Sequence, residues 1–375
     1  MNILITNTEL IDYSGTTVVV RDLSRELQRQ GHEPLVYSPR LGPVAEEIRG
    51  HGIEITNRLD RLSRPPDVIH GHHHFQVVEA LLHFPRTPAI FVCHSAAHFK
   101  EEPFYFPRIL RYVAVDDLCR KRIEKVREIP PGRINVILNA VDMARFQPRA
   151  PLPAKPRQAL VFSNYASNHT HLPAVRRACR QTGLKLDVLG AGAKNAVPNP
   201  ETVLRQYDIV FAKARCALEA MAAGNAVVLC DFAGAGPLVT KENFDTLRRM
   251  NFGAGVLTNP LRAEFIRVEI ERYDPHDAAE VSRRAHTEAG VEEATRCWIA
   301  LYRDVIQEFR QSRQDFDEES RALGVYLQRW NYEKRLEWEL RQLDRLKRSP
   351  LLGAAFRHFG WPIVKKLLRF KDELN

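Results

Sequence analysis

Apolar residues fall along this chain in two alternating rhythms. Short unbroken runs occur at Ile3-Leu4-Ile5, Leu35-Val36, Ala89-Ile90-Phe91-Val92, Ile209-Val210-Phe211 and Ala226 to Cys230. Runs of that length read as strands covered on both faces, as in a parallel sheet. Between them, apolar positions recur every three or four residues. Val19, Leu23 and Leu27 make one such stripe, the core face of a helix opened by Ser14-Gly15-Thr16-Thr17 and ended by Gly31. The opening is therefore a βαβ unit, and a doubly wound α/β fold with a parallel sheet follows as the fold class. Further strands are expected at 67–71, 89–94, 112–115 and 134–138, with a helix from Asp116-Asp117 to about Val126. Pro148, Pro151, Pro153 and Pro156 crowd into nine residues. That composition makes a semi-rigid linker and places a domain boundary there. A second α/β domain starts with the strand Ala159 to Phe162, and Leu186 to Leu189 then runs into Gly190-Ala191-Gly192.

The stretch from Asp208 to Gly234 carries the most chemistry. It reads strand, helix over Cys216 to Ala223, a stop at Gly224-Asn225, strand, then a loop holding Asp231, Gly234 and Gly236. The helix starts at Lys213-Ala214-Arg215 with no Ser, Thr, Asp or Asn to accept from its first amides. Open amides and a positive dipole end suit an anion, and two cations flank them. One turn in, Glu219 is the only carboxylate on the helix; it can bind two vicinal hydroxyls, as on a ribose. The competing reading has water at the helix start and Glu219 in solvent.

With 375 residues, two domains are the natural expectation, and 44% apolar residues can support two cores. The net charge of +9 invites an anionic partner, nucleotide or lipid headgroup; nucleic acid is not expected, because no binding motif accompanies the charge. Six scattered Cys without a CxxC read as reduced thiols of a cytoplasmic protein. The first residues read as a strand rather than a signal peptide, and no apolar run reaches membrane-spanning length. In His70-Gly71-His72-His73-His74, adjacent imidazoles point apart and no Cys or acidic pattern joins them, so no metal is expected. His94 ends a strand, where ligand-facing residues collect. Trp298, Tyr302, Val305 and Phe309 share one helical stripe, read as a core face docking across the domains. From Arg345 to Lys371, eight basic residues and no acidic one interleave with Phe356, Phe359, Trp361, Ile363, Leu367 and Phe370. That is a basic amphipathic segment suited to an anionic membrane surface, or to packing on the body or a partner helix.

Glu219-Ala220-Met221-Ala222-Ala223-Gly224 followed by Ala226-Val227-Val228 resembles the donor-site signature of the GT-B glycosyltransferases, family 4 above all. Ile137 to Pro148 resembles that family's linker, and Ile3 to Gly15 and Pro66 to Gly71 match in kind and order. The resemblance covers roughly residues 1–310. It implies two Rossmann-like domains facing a cleft: an acceptor-side domain over 1–150 and a donor domain over 151–310, with 311–375 a helical extension. It implies sugar transfer from a nucleotide diphosphate-sugar, with retention, to a glycan or lipid-linked acceptor in surface polysaccharide assembly. No cofactor and no metal are implied, and the location would be cytoplasmic with peripheral attachment at the inner membrane face. Glu219 would hold the ribose; Gly190 and Gly192, with Ser163 and Asn164, would border the base or phosphates. Gly15 and His94 would line the reaction cleft.

Two departures stand out. Ser163-Asn164 occupy the family's Gly-Arg position with no Lys before Lys185, and Phe211 falls where the family has its first Glu. Lys213 and Arg215 are the expected replacements for the missing cations at the diphosphate. The departures also leave open a non-catalytic relative that binds a nucleotide sugar or scaffolds a membrane complex, and, less favoured, a nucleotide-sugar epimerase.

Overall fold

The computed structural model describes residues 1–348. Most of the basic stretch 345–371 lies outside the described residues. Residues Met1–Arg313 form one compact unit holding two sheets, and a second unit begins at Gln314.

The first sheet is built from β1 (Asn2–Thr6), α1 (Gly15–Arg29), β2 (Glu33–Tyr37), α2 (Pro43–Gly50), β3 (Glu54–Thr56), β4 (Val68–His72), α3 (His74–His83), β5 (Ala89–Cys93), β6 (Ile109–Ala114), α4 (Asp117–Glu124) and β7 (Ile134–Val136). Its strands are all parallel, in the order β3-β2-β1-β4-β5-β6-β7. The second sheet follows with β8 (Gln158–Phe162), α5 (Leu172–Gln181), β9 (Lys185–Leu189), α6 (Pro200–Leu204), β10 (Ile209–Ala212), α7 (Ala214–Ala222), β11 (Ala226–Asp231), β12 (Gly234–Leu238), α8 (Phe244–Arg249), α9 (Ala263–Glu271) and α10 (Pro275–Glu288). Its order is β12-β11-β10-β8-β9. Both sheets are doubly wound, as the apolar rhythm implies.

One strand departs from expectation. The loop read at Gly234 and Gly236 is β12, antiparallel to β11 across a register shift at Val228/Cys230. Gly and Pro weaken a strand's own signal, so this edge strand owes its form to its partner. A Cβ on Gly234, at φ +154°, would stand 2.5 Å from the Leu257 carbonyl oxygen.

The apolar runs are buried as expected. Along β10, Val210 and Ala212 join one core, while Ile209 and Phe211 join the other on the opposite face of the sheet. Phe211 is wholly buried among Val161, Val228 and Ile266, so the position of the family's first Glu supplies core and not cleft. Gly224 at φ +87° ends the α7 segment in the left-handed conformation that Gly tolerates. α11 (Val291–Gln311) buries Trp298, Tyr302 and Val305, and Tyr302 Oη lies 2.7 Å from His70 Nδ1 in β4. The stripe read from sequence thus returns the chain to the first sheet. In the second unit, α12 spans Phe316–Arg348. No helix among the described residues is long and apolar enough to cross a membrane.

Candidate functional site

Strand order reverses between β1 and β4 in one sheet and between β8 and β10 in the other. Open α/β sheets bind ligands beyond the carboxyl ends of strands at such reversals. Here the two ends meet. Asn164, after β8, donates from Nδ2 to the Tyr13 carbonyl 3.1 Å away, and its Oδ1 accepts from Ala191 N at 3.0 Å. Arg249 pairs with Asp117 at 2.9 Å farther along the same cleft.

α7 begins without a side-chain cap, as read from its sequence. Its first amide is nevertheless satisfied, since Ala214 N donates to the Phe252 carbonyl at 2.8 Å. Ala214 sits at φ +50°, a left-handed conformation that costs an alanine on the order of 1 kcal/mol. The flanking cations are engaged, which differs from the expectation of two charges awaiting an anion. Arg215 donates from Nε to Glu219 at 2.8 Å and from Nη1 to the Ala140 carbonyl at 3.1 Å, and Nη2 pairs with Asp22 of α1. Asp22 also accepts from Arg21 Nε at 2.8 Å. The physical reason is desolvation: four charges, Arg21, Asp22, Arg215 and Glu219, are all buried, and each must find an opposite partner inside. Burial alone would raise the Asp22 pKa, but Arg215 and Arg21 outweigh it and hold the carboxyl below its usual range. For Glu219 burial wins and the pKa rises despite Arg215. Lys213 pairs through Nζ with Asp231 at 2.8 Å.

Glu219 and Arg215 line a cavity of about 90 Å³ between the lobes, with Ser14, Gly15, Arg21, Arg145, Asn164 and Gly190 also on its wall. An added Cβ at Gly15 would meet nothing, so packing does not explain this glycine. Packing does explain the other two. A Cβ on Gly190, at φ +142°, would fall 2.3 Å from the Ser163 carbonyl oxygen, and one on Gly192 would fall 2.5 Å from that of Ala166. Ser163 is buried beneath this crossing, its N–H bonded to the Leu189 carbonyl and its Oγ accepting from Tyr165 N.

His94 lines a second, smaller cavity of about 40 Å³ together with Asp22, His70, Thr295 and Arg215. Arg215 is therefore a wall common to both cavities. His94 donates its backbone N–H to Glu101 at 2.9 Å, and its ring stacks on His72 with centroids 4.6 Å apart. His72 in turn lies against His70 at 4.7 Å. Burial pushes all three imidazoles below their ordinary pKa, His70 to about 3, so they are neutral at pH 7. His94 Nε2, His70 Nε2 and Thr295 Oγ1 are buried without a protein partner. A neutral imidazole there can orient a hydroxyl or accept its proton. Among the described residues, no group of three or more His, Cys, Asp or Glu could hold a metal ion.

The structure thus brings Gly15, Asn164, Gly190, Arg215 and Glu219 to one cavity and His94 to its neighbour, while Gly192, Ser163 and Lys213 stand off those walls. Sequence reasoning missed Asp22, Arg21 and Arg145. Asp22 lies beside Leu23 in the α1 stripe, where a charge reads as solvent-facing. Arg145 belongs to the Ile137–Pro148 motif and lines the larger cavity; its Nη1 is buried without a partner.

The profile of Glycosyltransferase Family 4 matches residues 13–145. Over that segment, about a third of the chain, the sequence is similar to Glycosyltransferase Family 4, and the two facing sheets have the GT-B fold. A glycosyltransferase from Rickettsia africae superposes with a TM-score of 0.58 at 14% identity, over 81% of this chain and 98% of that one. Anabaena HepE, crystallised with UDP and glucose, superposes at 0.59 and 13% identity, over 80% and 98%. At such identities the likeness establishes the fold alone. Among curated proteins, none matches the sequence significantly.

Proposed function

We propose that this GT-B chain transfers a sugar from a nucleotide diphosphate-sugar to a glycan or lipid-linked acceptor, with retention, in surface glycan assembly. The observation that carries the reading is Glu219, a buried carboxylate aimed into the interlobe cavity one turn from the uncapped start of α7. In that role Glu219 accepts from the ribose hydroxyls. The diphosphate lies at the Arg215 and Cys216 amides, with Arg145 and a released Arg215 supplying charge. Gly15 and His94, both of the first lobe, line the reaction cleft on the side opposite the donor. The UDP and glucose bound by Anabaena HepE are in keeping with this class of donor.

A bound nucleotide sugar needs a pocket of about 300 Å³ or more. The cavity of about 90 Å³ admits water but not that ligand. Binding therefore requires the lobes to part at Arg215–Asp22 and Asn164–Tyr13, and reclosure would keep water from the donor.

The test is a panel of nucleotide diphosphates and their sugars, screened first by thermal shift and then for transfer and hydrolysis. A donor that raises the melting temperature and is consumed supports the proposal; NMR of the anomeric proton in the product decides retention. Binding without turnover of any donor would leave a non-catalytic relative, the reading favoured by an Arg215 already saturated with carboxylates. For the 345–371 segment, co-sedimentation with anionic vesicles before and after deletion from Ser349 decides the membrane role. Equal pelleting of both forms ends it.

A further inference from the structure

At the carboxyl ends of three adjacent strands, β8, β10 and β11, stand Tyr165, Lys213 and Phe232. These ends flank the order reversal of the second sheet. Tyr165 is 58% exposed and Phe232 49% exposed, both high for large apolar rings. They are not scattered. Their centroids lie 5.0 Å apart, and the Lys213 ammonium sits 4.4 Å from the Phe232 centroid and 5.1 Å from that of Tyr165.

The ammonium is fixed from beneath. Asp231, 1% exposed, accepts from Lys213 Nζ at 2.8 Å. Behind Asp231 lies His171, wholly buried, with Nδ1 3.8 Å from Asp231 Oδ1 and neither ring nitrogen hydrogen-bonded. Burial, first among the influences on His171, lowers its pKa. A buried carboxylate, a buried imidazole and a lysine together hold two rings outward at the cleft edge.

The geometry points to a saccharide-stacking subsite on Tyr165, Lys213 and Phe232. Asp231 already balances the lysine's charge, so the platform does not require an anion. It offers two apolar ring faces and, between them, an ammonium with protons left to donate. A pyranose has the matching shape: one face of C–H groups and a rim of hydroxyl acceptors. Stacking and cation–π contacts of this kind are directional and work at a half-exposed surface. The site is separate from the cavity walled by Glu219 and Gly190, in which neither ring takes part. Identifying the pyranose as the sugar of the donor rests on the nucleotide-sugar reading given above; the stacking itself does not.

Calorimetric titration of the full chain with nucleoside diphosphates and the corresponding nucleotide sugars tests the assignment. Wild type binds the matching nucleotide sugar more tightly than the bare diphosphate. Tyr165→Ala and Phe232→Ala each remove about three- to tenfold of that increment, the equivalent of one stacking contact, and leave bare-diphosphate affinity within about twofold. Equal weakening for the bare diphosphate would move the rings to the nucleotide and overturn the subsite. So would unchanged affinity for both ligands. If wild type binds no nucleotide at all, the donor reading fails by itself. Saturation-transfer NMR with methyl hexosides then reads the platform directly: transfer that the two Ala variants lose supports it, and its absence in wild type overturns it. Unchanged melting temperatures of these surface variants exclude misfolding as the cause.

Discussion

Asp22→Asn is the substitution that most directly probes how the lobes are held. Asp22 lies on α1 of the first lobe, and its carboxylate pairs with Arg215 of the second while also accepting from Arg21. Asparagine keeps the size and one acceptor but removes the charge. Two buried guanidinium groups are then left with one carboxylate each, Arg215 with Glu219 at 2.8 Å and Arg21 with Glu47 at 3.5 Å. Removing one member of a buried ion pair costs about 3–5 kcal/mol, and the retained hydrogen bond puts the expectation near 3. A unit of about 310 residues unfolds with an entropy of roughly 0.65 kcal/mol/K, so the melting temperature should fall by about 5 °C. Calorimetry reads this directly, and a double-mutant cycle makes it specific. Arg215→Met alone strands Glu219 and leaves Asp22 with Arg21 only, whereas Asp22→Asn with Arg215→Met removes both charges of the interlobe pair. The double variant should therefore lose clearly less stability than the two single losses added together. A single variant that melts within 1 °C of wild type, or losses that simply add, would refute a buried interlobe pair. The same variants report on the ligand. Loosening Arg215 from Asp22 lowers the cost of opening, so Asp22→Asn should bind nucleoside diphosphates more tightly than wild type, although it is less stable.

Three further outcomes follow from the same geometry. Glu219→Ala should weaken nucleoside diphosphate binding by roughly 10- to 150-fold, the loss of about 1.5–3 kcal/mol for charged hydrogen bonds, with titration calorimetry as the readout; unchanged affinity removes the ribose role. Gly15→Ala should leave the melting temperature unchanged or slightly higher, because its Cβ meets open space at the start of a helix, yet lower transfer activity; full activity would show that no substrate approaches there. Glu101 should govern acid stability. Burial raises its pKa, but the hydrogen bond with His73 and the nearby His94 outweigh it and bring the carboxyl to about 2. A depressed carboxyl pKa contributes stability present above the ordinary value near 4.5 and lost as pH falls toward 2. Glu101→Gln should therefore flatten the fall in melting temperature between about pH 4.5 and 2, whereas an unchanged acid limb would show that the His73–Glu101 contact does not stabilise the fold.

Most of the fold was legible because both sheets, apart from the antiparallel edge strand β12, are parallel and covered on two faces. Such strands must be apolar throughout, and Ile209 to Phe211 or Ala226 to Cys230 can be little else. Helix ends were legible where Gly224 or Ser14 carries a backbone requirement. β12 was not, since an edge strand containing Gly and Pro depends on its neighbour for its form. The site was half legible. Glu219 and the uncapped start of α7 are local features, written within one stretch of sequence. What engages them is not local: Asp22 lies 193 residues from Arg215, and the carbonyl that takes the first amide belongs to Phe252. A charge inside an apolar helical stripe reads as exposed until another lobe is packed on it.

That distinction bears on how the departures from family 4 should be understood. Loss of the Gly-Arg pair leaves Asn164, whose amide bridges to Tyr13 where a guanidinium would serve phosphate. The cations that sequence reasoning offered as replacements are each neutralised by a carboxylate within the protein, Arg215 by Asp22 and Glu219, Lys213 by Asp231. A diphosphate entering this cleft must compete with those carboxylates, and the outcome turns on Arg215. When its bond to Asp22 breaks, one guanidinium edge becomes free at the start of α7 while the other stays on Glu219. In the proposed mechanism the same movement would part the lobes and uncover a cation beside the amides, coupling opening to anion binding. Arg215→Lys separates this coupling from a simple structural role. Lysine retains the charge but cannot span Asp22, Glu219 and Ala140 at once. It should weaken closure, measured as melting temperature, while preserving the salt dependence of diphosphate binding, which Arg215→Met should reduce; undiminished salt dependence in Arg215→Met would place the phosphate charge elsewhere, on Arg145.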